Sequence, residues 1–198
     1  MSLNNPEYVK IGDKKYKINT DFRVAIKCNE IAQDDNISDN ERALAIIYKL
    51  FGDDGLNNTQ DWSKLLELGR KYLAIGKDNV SADDDEVDMS FSEDMDYIEA
   101  SFMSDYKIDL SNEKMHWWKF YNLLQGLSNS EFGDCCILNR IRNLRTMDIS
   151  KISDMKERER LAKAQEVFGL KKTRHEVELT KEQEESMRKL DEIIGFKK

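Results

Sequence analysis

The residues of this chain best suited to nucleophilic or metal chemistry are two histidines, His116 and His175, and three cysteines, Cys28, Cys135 and Cys136. A Ser or Cys nucleophile has to be oriented by a histidine base. His116 and His175 stand in segments of different character, and neither lies in a catalytic motif. His116 precedes Trp117 and Trp118, a setting that assigns it to packing or helix capping. A structural zinc site takes four Cys or His ligands in paired spacing, which one isolated and two adjacent cysteines do not offer. An odd set of thiols without framework spacing fits reduced side chains in a cytosol, serving as small core hydrophobes. The run Asp83, Asp84, Asp85, Glu86 and Asp88 lacks the central glycine and terminal glutamate of a calcium loop. The scattered glycines form no phosphate-cradling loop, and the Asp/Glu pairs show no convergent placement for acid–base work. The reading is therefore a protein that is not an enzyme and takes no cofactor or metal.

Composition narrows the remaining classes. Of 198 residues, 39% are hydrophobic and 35% charged, which predicts a surface-rich fold with long solvated helix faces. The net charge is -8, and no basic stripe with interleaved aromatics occurs, so nucleic-acid binding is not expected. Met1 to Lys10 is polar and no stretch approaches the roughly 20 apolar residues of a membrane span. The expectation is a soluble protein that stays in the cell that makes it.

The elements that must position any site follow from periodicity. Val9 and Ile11 alternate on one arm, Tyr16 and Ile18 on the other, and Gly12-Asp13 lies between them, which reads as a β-hairpin. A lone hairpin is marginal in water and has to rest on helices. Thr20 is the expected cap of a helix carrying Phe22, Ala25, Ile26 and Cys28. Ser38 and Glu41 have capping-box spacing, and Leu44, Ile47, Tyr48 and Phe51 follow as a helical stripe, ended by a loop from Gly52. Trp62, Leu65, Leu66, Gly69, Tyr72 and Leu73 mark a third helix.

Asp83 to Glu99 is rich in carboxylates, and no positive residue lies between Lys77 and Lys107, so the first part reads as a self-repelling linker. Ser90 with Glu93 opens a helix through Ile98, Phe102 and Met103. Trp117, Phe120, Tyr121, Leu124 and Leu127 form the most apolar stripe of the chain. Ser128 with Glu131 caps a helix bearing Phe132, Cys136, Ile137, Ile141 and Leu144; a charged helix from Lys156 to Phe168 follows a turn at Asp148 to Ser153. Thr180 with Gln183 opens a terminal helix whose narrow stripe, Met187, Leu190 and Ile194, suits docking onto a partner or a second copy of the chain.

The predicted fold is mainly α, a multi-helix bundle in two lobes with a small N-terminal β-hairpin. Residues 1–76 form the hairpin and first helical lobe, 77–91 the acidic linker, 92–170 the second lobe, and 171–198 a terminal linker and amphipathic helix.

One set of residues carries a resemblance. The stretch Asp96 to Leu110, then Met115-His116-Trp117-Trp118-Lys119-Phe120 and Leu124-Gln125-Gly126-Leu127, resembles the bacteriophage gene-product-fifteen family of tailed phages and prophages of Gram-positive bacteria. Arg140-Ile141-Arg142, Asp148-Ile149-Ser150-Lys151 and Thr20-Asp21-Phe22-Arg23 extend the likeness over about residues 7–170. The resemblance implies a gene just before the tape-measure gene, the position of tail assembly chaperones. It thus implies a protein of the bacterial host's cytoplasm that binds and solubilises the phage tape-measure protein and meets other tail proteins, with self-association possible. The rival is a structural tail or connector component retained in the virion; a DNA-mimicking inhibitor built on Asp83 to Glu99 is a third reading.

Overall fold

In the computed structural model, residues 5–34, 36–76, 88–129 and 135–171 are described. Among them the order is β1 (Tyr8–Ile11), β2 (Lys14–Lys17), α1 (Phe22–Ala32), α2 (Asp39–Leu56), α3 (Trp62–Leu73), α4 (Phe91–Tyr106), α5 (Trp117–Gln125), α6 (Ile137–Thr146) and α7 (Met155–Phe168), with 3₁₀ turns at Thr59–Asp61 and Ile149–Lys151. The fold is mainly α with an N-terminal antiparallel hairpin, as the periodicity predicts.

The hairpin pairs Val9 with Tyr16 and Ile11 with Lys14 around Gly12-Asp13. Gly12 holds φ +57°, the left-handed conformation that lets a two-residue turn follow the twist of its strands. Val9, Ile11 and Tyr16 share the covered face, while Tyr8, Lys10, Lys15 and Lys17 are exposed. The Tyr16 hydroxyl donates to Asp61 Oδ2 at 2.5 Å, and Lys14 Nζ donates to Asn58 Oδ1 at 2.9 Å. The turn ahead of α3 thus fastens a hairpin that would be marginal alone.

Local signals set the helix starts where partners are a few residues apart. The Ser38 and Glu41 box forms in full, each side chain accepting from the other residue's backbone N–H. At α1 the cap is Asp21, accepting from Arg23 N at 2.9 Å, instead of Thr20. The Thr20 carbonyl is taken by the Trp117 backbone N–H at 2.8 Å, so a distant segment claims that residue. In α2 the buried residues are Ile46, Ile47, Leu50, Phe51 and Gly55, whereas Tyr48 is 48% exposed. The run from Leu44 to Tyr48 is apolar all round, and packing selects a face rotated from the expected one. Gly52 leaves helical geometry at φ 63° and ψ -155°, so the first run of α2 ends there as expected, but a second helical stretch continues to Leu56 where a loop is expected, and the Leu50 carbonyl receives the Asn19 N–H at 2.7 Å.

The chain divides into two compact units, residues 1–86 with 91–140, and residues 87–90 with 141–198. This differs from a boundary at 77–91. The reason lies in the first unit's core, where Phe120 of α5 stacks on Phe22 of α1 at 4.6 Å and on Phe102 of α4 at 5.2 Å between ring centroids. Three helices on both sides of the acidic run therefore share one aromatic column, and Phe22, Phe102, Trp117 and Phe120 are each at most 1% exposed. Gly69 is the point where α3 crosses α2; a Cβ there would stand 3.0 Å from Leu50 Cδ1. In α6 the buried residues are Leu138, Asn139 and Ile141 while Ile137 is 38% exposed, so that stripe too is rotated from the expected one.

In the second unit Arg145 donates to the Phe168 carbonyl at 2.7 Å and to the Asp88 carbonyl at 2.9 Å. Gln165 donates to the carbonyls of Leu144 and Met147, and Arg142 pairs with Asp88 at 2.8 Å. Residues 77–87, Glu131 and Phe132, and the segment Thr180 to Ile194 lie outside the described residues. Among the described residues no helix is long and apolar enough to cross a membrane.

Candidate functional site

Helix α3 shows how a concave surface arises. Leu65, Gly69 and Tyr72 turn into the core, and each neighbour one step on, Leu66, Arg70 and Leu73, lies about 100° round the helix. Those three remain partly or wholly exposed. With Arg42, Ala43 and Ile46 of α2, Phe91 at the start of α4, and Trp117 and Tyr121 of α5, they line a groove of about 1050 Å³ within the first unit. Ile46 and Trp117 are buried at its floor, while Leu66, Leu73, Ile75, Phe91 and Tyr121 are half-exposed along it.

Two tryptophans hold the end of α3 against this groove. The last carbonyls of a helix have no partner inside it. Trp117 Nε1 donates to the Leu73 carbonyl at 3.0 Å and Trp118 Nε1 to the Tyr72 carbonyl at 2.9 Å, while Ala74 N and Gly76 N take the carbonyls of Arg70 and Lys71. All four terminal carbonyls are therefore satisfied. Ile75 holds φ 59° in this closure, where a β-branched residue is strained and glycine is usual. A cost of this kind concentrates at functional positions, and the side chain so held lines the groove.

The groove's rim carries two arginines, Arg42 and Arg70, and one carboxylate, Asp39. Arg70 is exposed and its guanidinium has no ion-pair partner among the described residues. Arg42 pairs with Asp39 and donates to the Asp34 and Ile37 carbonyls, but its Nε is buried without a hydrogen-bond partner. A second depression of about 960 Å³ between the hairpin and α2 mixes Lys17, Lys49 and Lys114 with Asp53, Asp54 and His116.

His116 is the cap of α5: its Nδ1 accepts from the Trp118 N–H at 3.0 Å, and its Nε2 lies 3.1 Å from the Pro6 carbonyl. Since a carbonyl only accepts, Nε2 carries the proton and donates. Both nitrogens are committed, which leaves none to serve as a base. Burial pushes the Cys28 thiol up to about 12, far from a reactive thiolate. Among the described residues no group of three or more His, Cys, Asp or Glu is placed to hold a metal ion. His175 and the expected docking residues Met187, Leu190 and Ile194 lie outside the described residues. Leu66, Leu73 and Tyr121 belong to helical stripes evident in the sequence; that they form a groove with Arg42 and Arg70 does not follow from spacing.

The class these features define is a mainly α-helical protein with an N-terminal hairpin and an open, half-apolar groove edged by Arg42, Arg70 and Asp39. The chain belongs to the Bacteriophage Gp15 protein family, whose match spans residues 3–170. No curated protein and no solved structure matches it.

Proposed function

We propose that this phage protein is a tail assembly chaperone, a non-enzymatic protein that binds and solubilises the tape-measure protein in the cytoplasm of the bacterial host while the tail is built. The observation that carries the reading is the groove: apolar side chains half-exposed side by side, in a chain whose net charge of -8 keeps it soluble. A long helical client with periodic apolar residues is held by many weak contacts of this kind, each helix laying its apolar face into a groove. The position before the tape-measure gene, implied by the family resemblance, agrees with it.

Co-expression with the tape-measure protein tests the reading. The intact chain is expected to raise the client's soluble fraction, and Leu66→Glu, at a half-exposed wall position, to lower that gain about tenfold, the equivalent of some 1.4 kcal/mol of lost affinity. Mass spectrometry of purified virions is expected to find the protein absent. Its retention in stoichiometric amount would instead assign it to the tail structure or connector.

A further inference from the structure

The solvent side of the hairpin concentrates positive charge on a chain whose net charge is -8. The register sets Tyr8 opposite Lys17 and Lys10 opposite Lys15, so these four side chains share the exposed face. Like charges directly opposite each other weaken a strand pair. Lys15 Nζ stands over the Tyr8 ring, 3.8 Å from its centroid, and Tyr8 is itself 41% exposed. The neighbouring carboxylates leave this face largely uncompensated. Glu7, one residue before Tyr8, falls on the opposite face, Asp13 lies in the turn, and Asp53 and Asp54 line the depression beside Lys17. Lys14, which pairs with Asp61, belongs to the covered side with Ile11. Lys10 and Lys15 have no ion pair among the described residues.

The same register leaves a backbone edge open. In an antiparallel pair, residues that exchange both hydrogen bonds alternate with residues that exchange none. Ile18 donates to the Glu7 carbonyl at 2.8 Å, which makes Val9 with Tyr16 the next bonded pair and turns the N–H and carbonyl of Tyr8 and of Lys10 outward. Among the described residues no backbone group meets them. The other edge is occupied differently, since β2 runs on into Asn19, whose N–H is held by Leu50 of α2. Lysines on an edge strand repel a second copy of the same edge, and for an acidic strand that repulsion changes sign. A nucleic acid would satisfy the lysines yet leave the strand edge without partners, so the edge selects a polypeptide.

We infer that the outer edge of β1 docks an extended acidic segment of a partner protein, in which carboxylate and apolar residues alternate. The segment's backbone continues the sheet beside Tyr8 and Lys10. Its carboxylates fall on the face of Lys10 and Lys15, about 5 Å from Lys10 between Cβ atoms. Its apolar residues extend the half-buried face of Val9 and Ile11. None of these hairpin residues lines the groove, and the inference does not depend on the tape-measure reading.

The experiment titrates the isotope-labelled full chain with a capped heptapeptide alternating glutamate and valine, followed by NMR. The amide signals of Tyr8 and Lys10 are expected to shift and their exchange with solvent to slow, while those of α4 and α5 stay unchanged. Lys10→Glu, at an exposed position, is expected to weaken binding about tenfold, and a lysine and valine peptide to prefer that variant. The glutamate peptide methylated at its glutamate amide nitrogens keeps the charge but loses the strand bonds, and is expected to bind several-fold more weakly. Equal binding of the methylated peptide, or of a single-stranded oligonucleotide of the same charge, would reduce the surface to general charge attraction and overturn the inference. So would unshifted Tyr8 and Lys10 signals, or a glutamine and valine peptide bound as tightly.

Discussion

Helix α5 places Trp117, Phe120 and Leu124 among the most buried side chains of the first unit, whereas α7 of the second unit, five residues longer, buries none of its own. Met155 and Val167 of α7 are 78% and 67% exposed. The two regions hold their helices by different forces. Around α5 the stabilising term is apolar and aromatic burial, which is insensitive to salt. Around α7 it is a set of side-chain to backbone hydrogen bonds from Arg145 and Gln165 and a half-exposed Arg142–Asp88 pair. Each such bond contributes modestly, because unfolding returns its groups to water. The first unit is therefore built to persist, and α7 to open locally at small cost.

The largest expected effect tests the aromatic side of that contrast. Phe120 is fully buried between Phe22 and Phe102, so Phe120→Ala should cost about 3 to 5 kcal/mol, the range for emptying a packed aromatic site. Chemical denaturation followed by tryptophan fluorescence measures it. A loss below about 1 kcal/mol would mean that the column is not the keystone of the unit.

Arg145→Ala comes next and probes the polar side. It removes the donors to Phe168 and Asp88, with an expected local cost of about 1 to 3 kcal/mol for the charged bonds. Hydrogen exchange should quicken across 155–168 and stay unchanged across 62–73. High salt should likewise weaken the second unit more than the first, since the half-exposed Arg142–Asp88 pair and the exposed Lys163–Glu159 pair of α7 are screened. Equal losses in both regions would erase the distinction between them.

His116→Leu should destabilise the first unit by about 1 kcal/mol, the usual worth of a helix cap, while His116→Asn, which still offers an acceptor, should retain most of it. Thermal melting of the pair decides whether the imidazole acts as a cap or through its ring.

The smallest effect is a pH dependence at the hairpin. Accepting the Tyr16 hydroxyl proton, and then Lys14, holds the Asp61 carboxyl below its usual range, while burial and the bond to Asp61 push Tyr16 up to about 12. A depressed carboxyl contributes stability that is present above its ordinary value of about 4 and lost as pH falls through the folded one. A raised phenol contributes stability that is present below about 10 and lost as pH rises towards about 12. Methyl NMR signals of Val9 and Ile11 should hold steady between those limits and shift outside them. Asp61→Asn should abolish the acid limb.

Where a feature depends on residues a few positions apart, it is legible in the sequence. The Gly12-Asp13 turn, the Ser38–Glu41 box and the α5 stripe are of this kind. Where a segment is apolar all round, spacing does not say which face is inward. Helical spacing points Tyr48 and Ile137 to the inside, yet both are exposed, and Ile46 and Leu138 take the core instead. The terminal docking residues rest on spacing alone.

By itself the sequence determined that the chain is helical with one hairpin, and its motifs carried the family resemblance, because caps, turns and amphipathic periods are local and each is satisfied by neighbours in the chain. Only the tertiary structure decided that Trp117 and Trp118 close the end of α3 and that Phe120 joins α1 to α4. It also decided that Leu66, Leu73, Ile75 and Tyr121 line one groove beside Arg42 and Arg70. Those relations span dozens of residues. They are selected by which faces bury the most apolar surface together while leaving every buried N–H and carbonyl a partner, a condition that no short window of sequence contains.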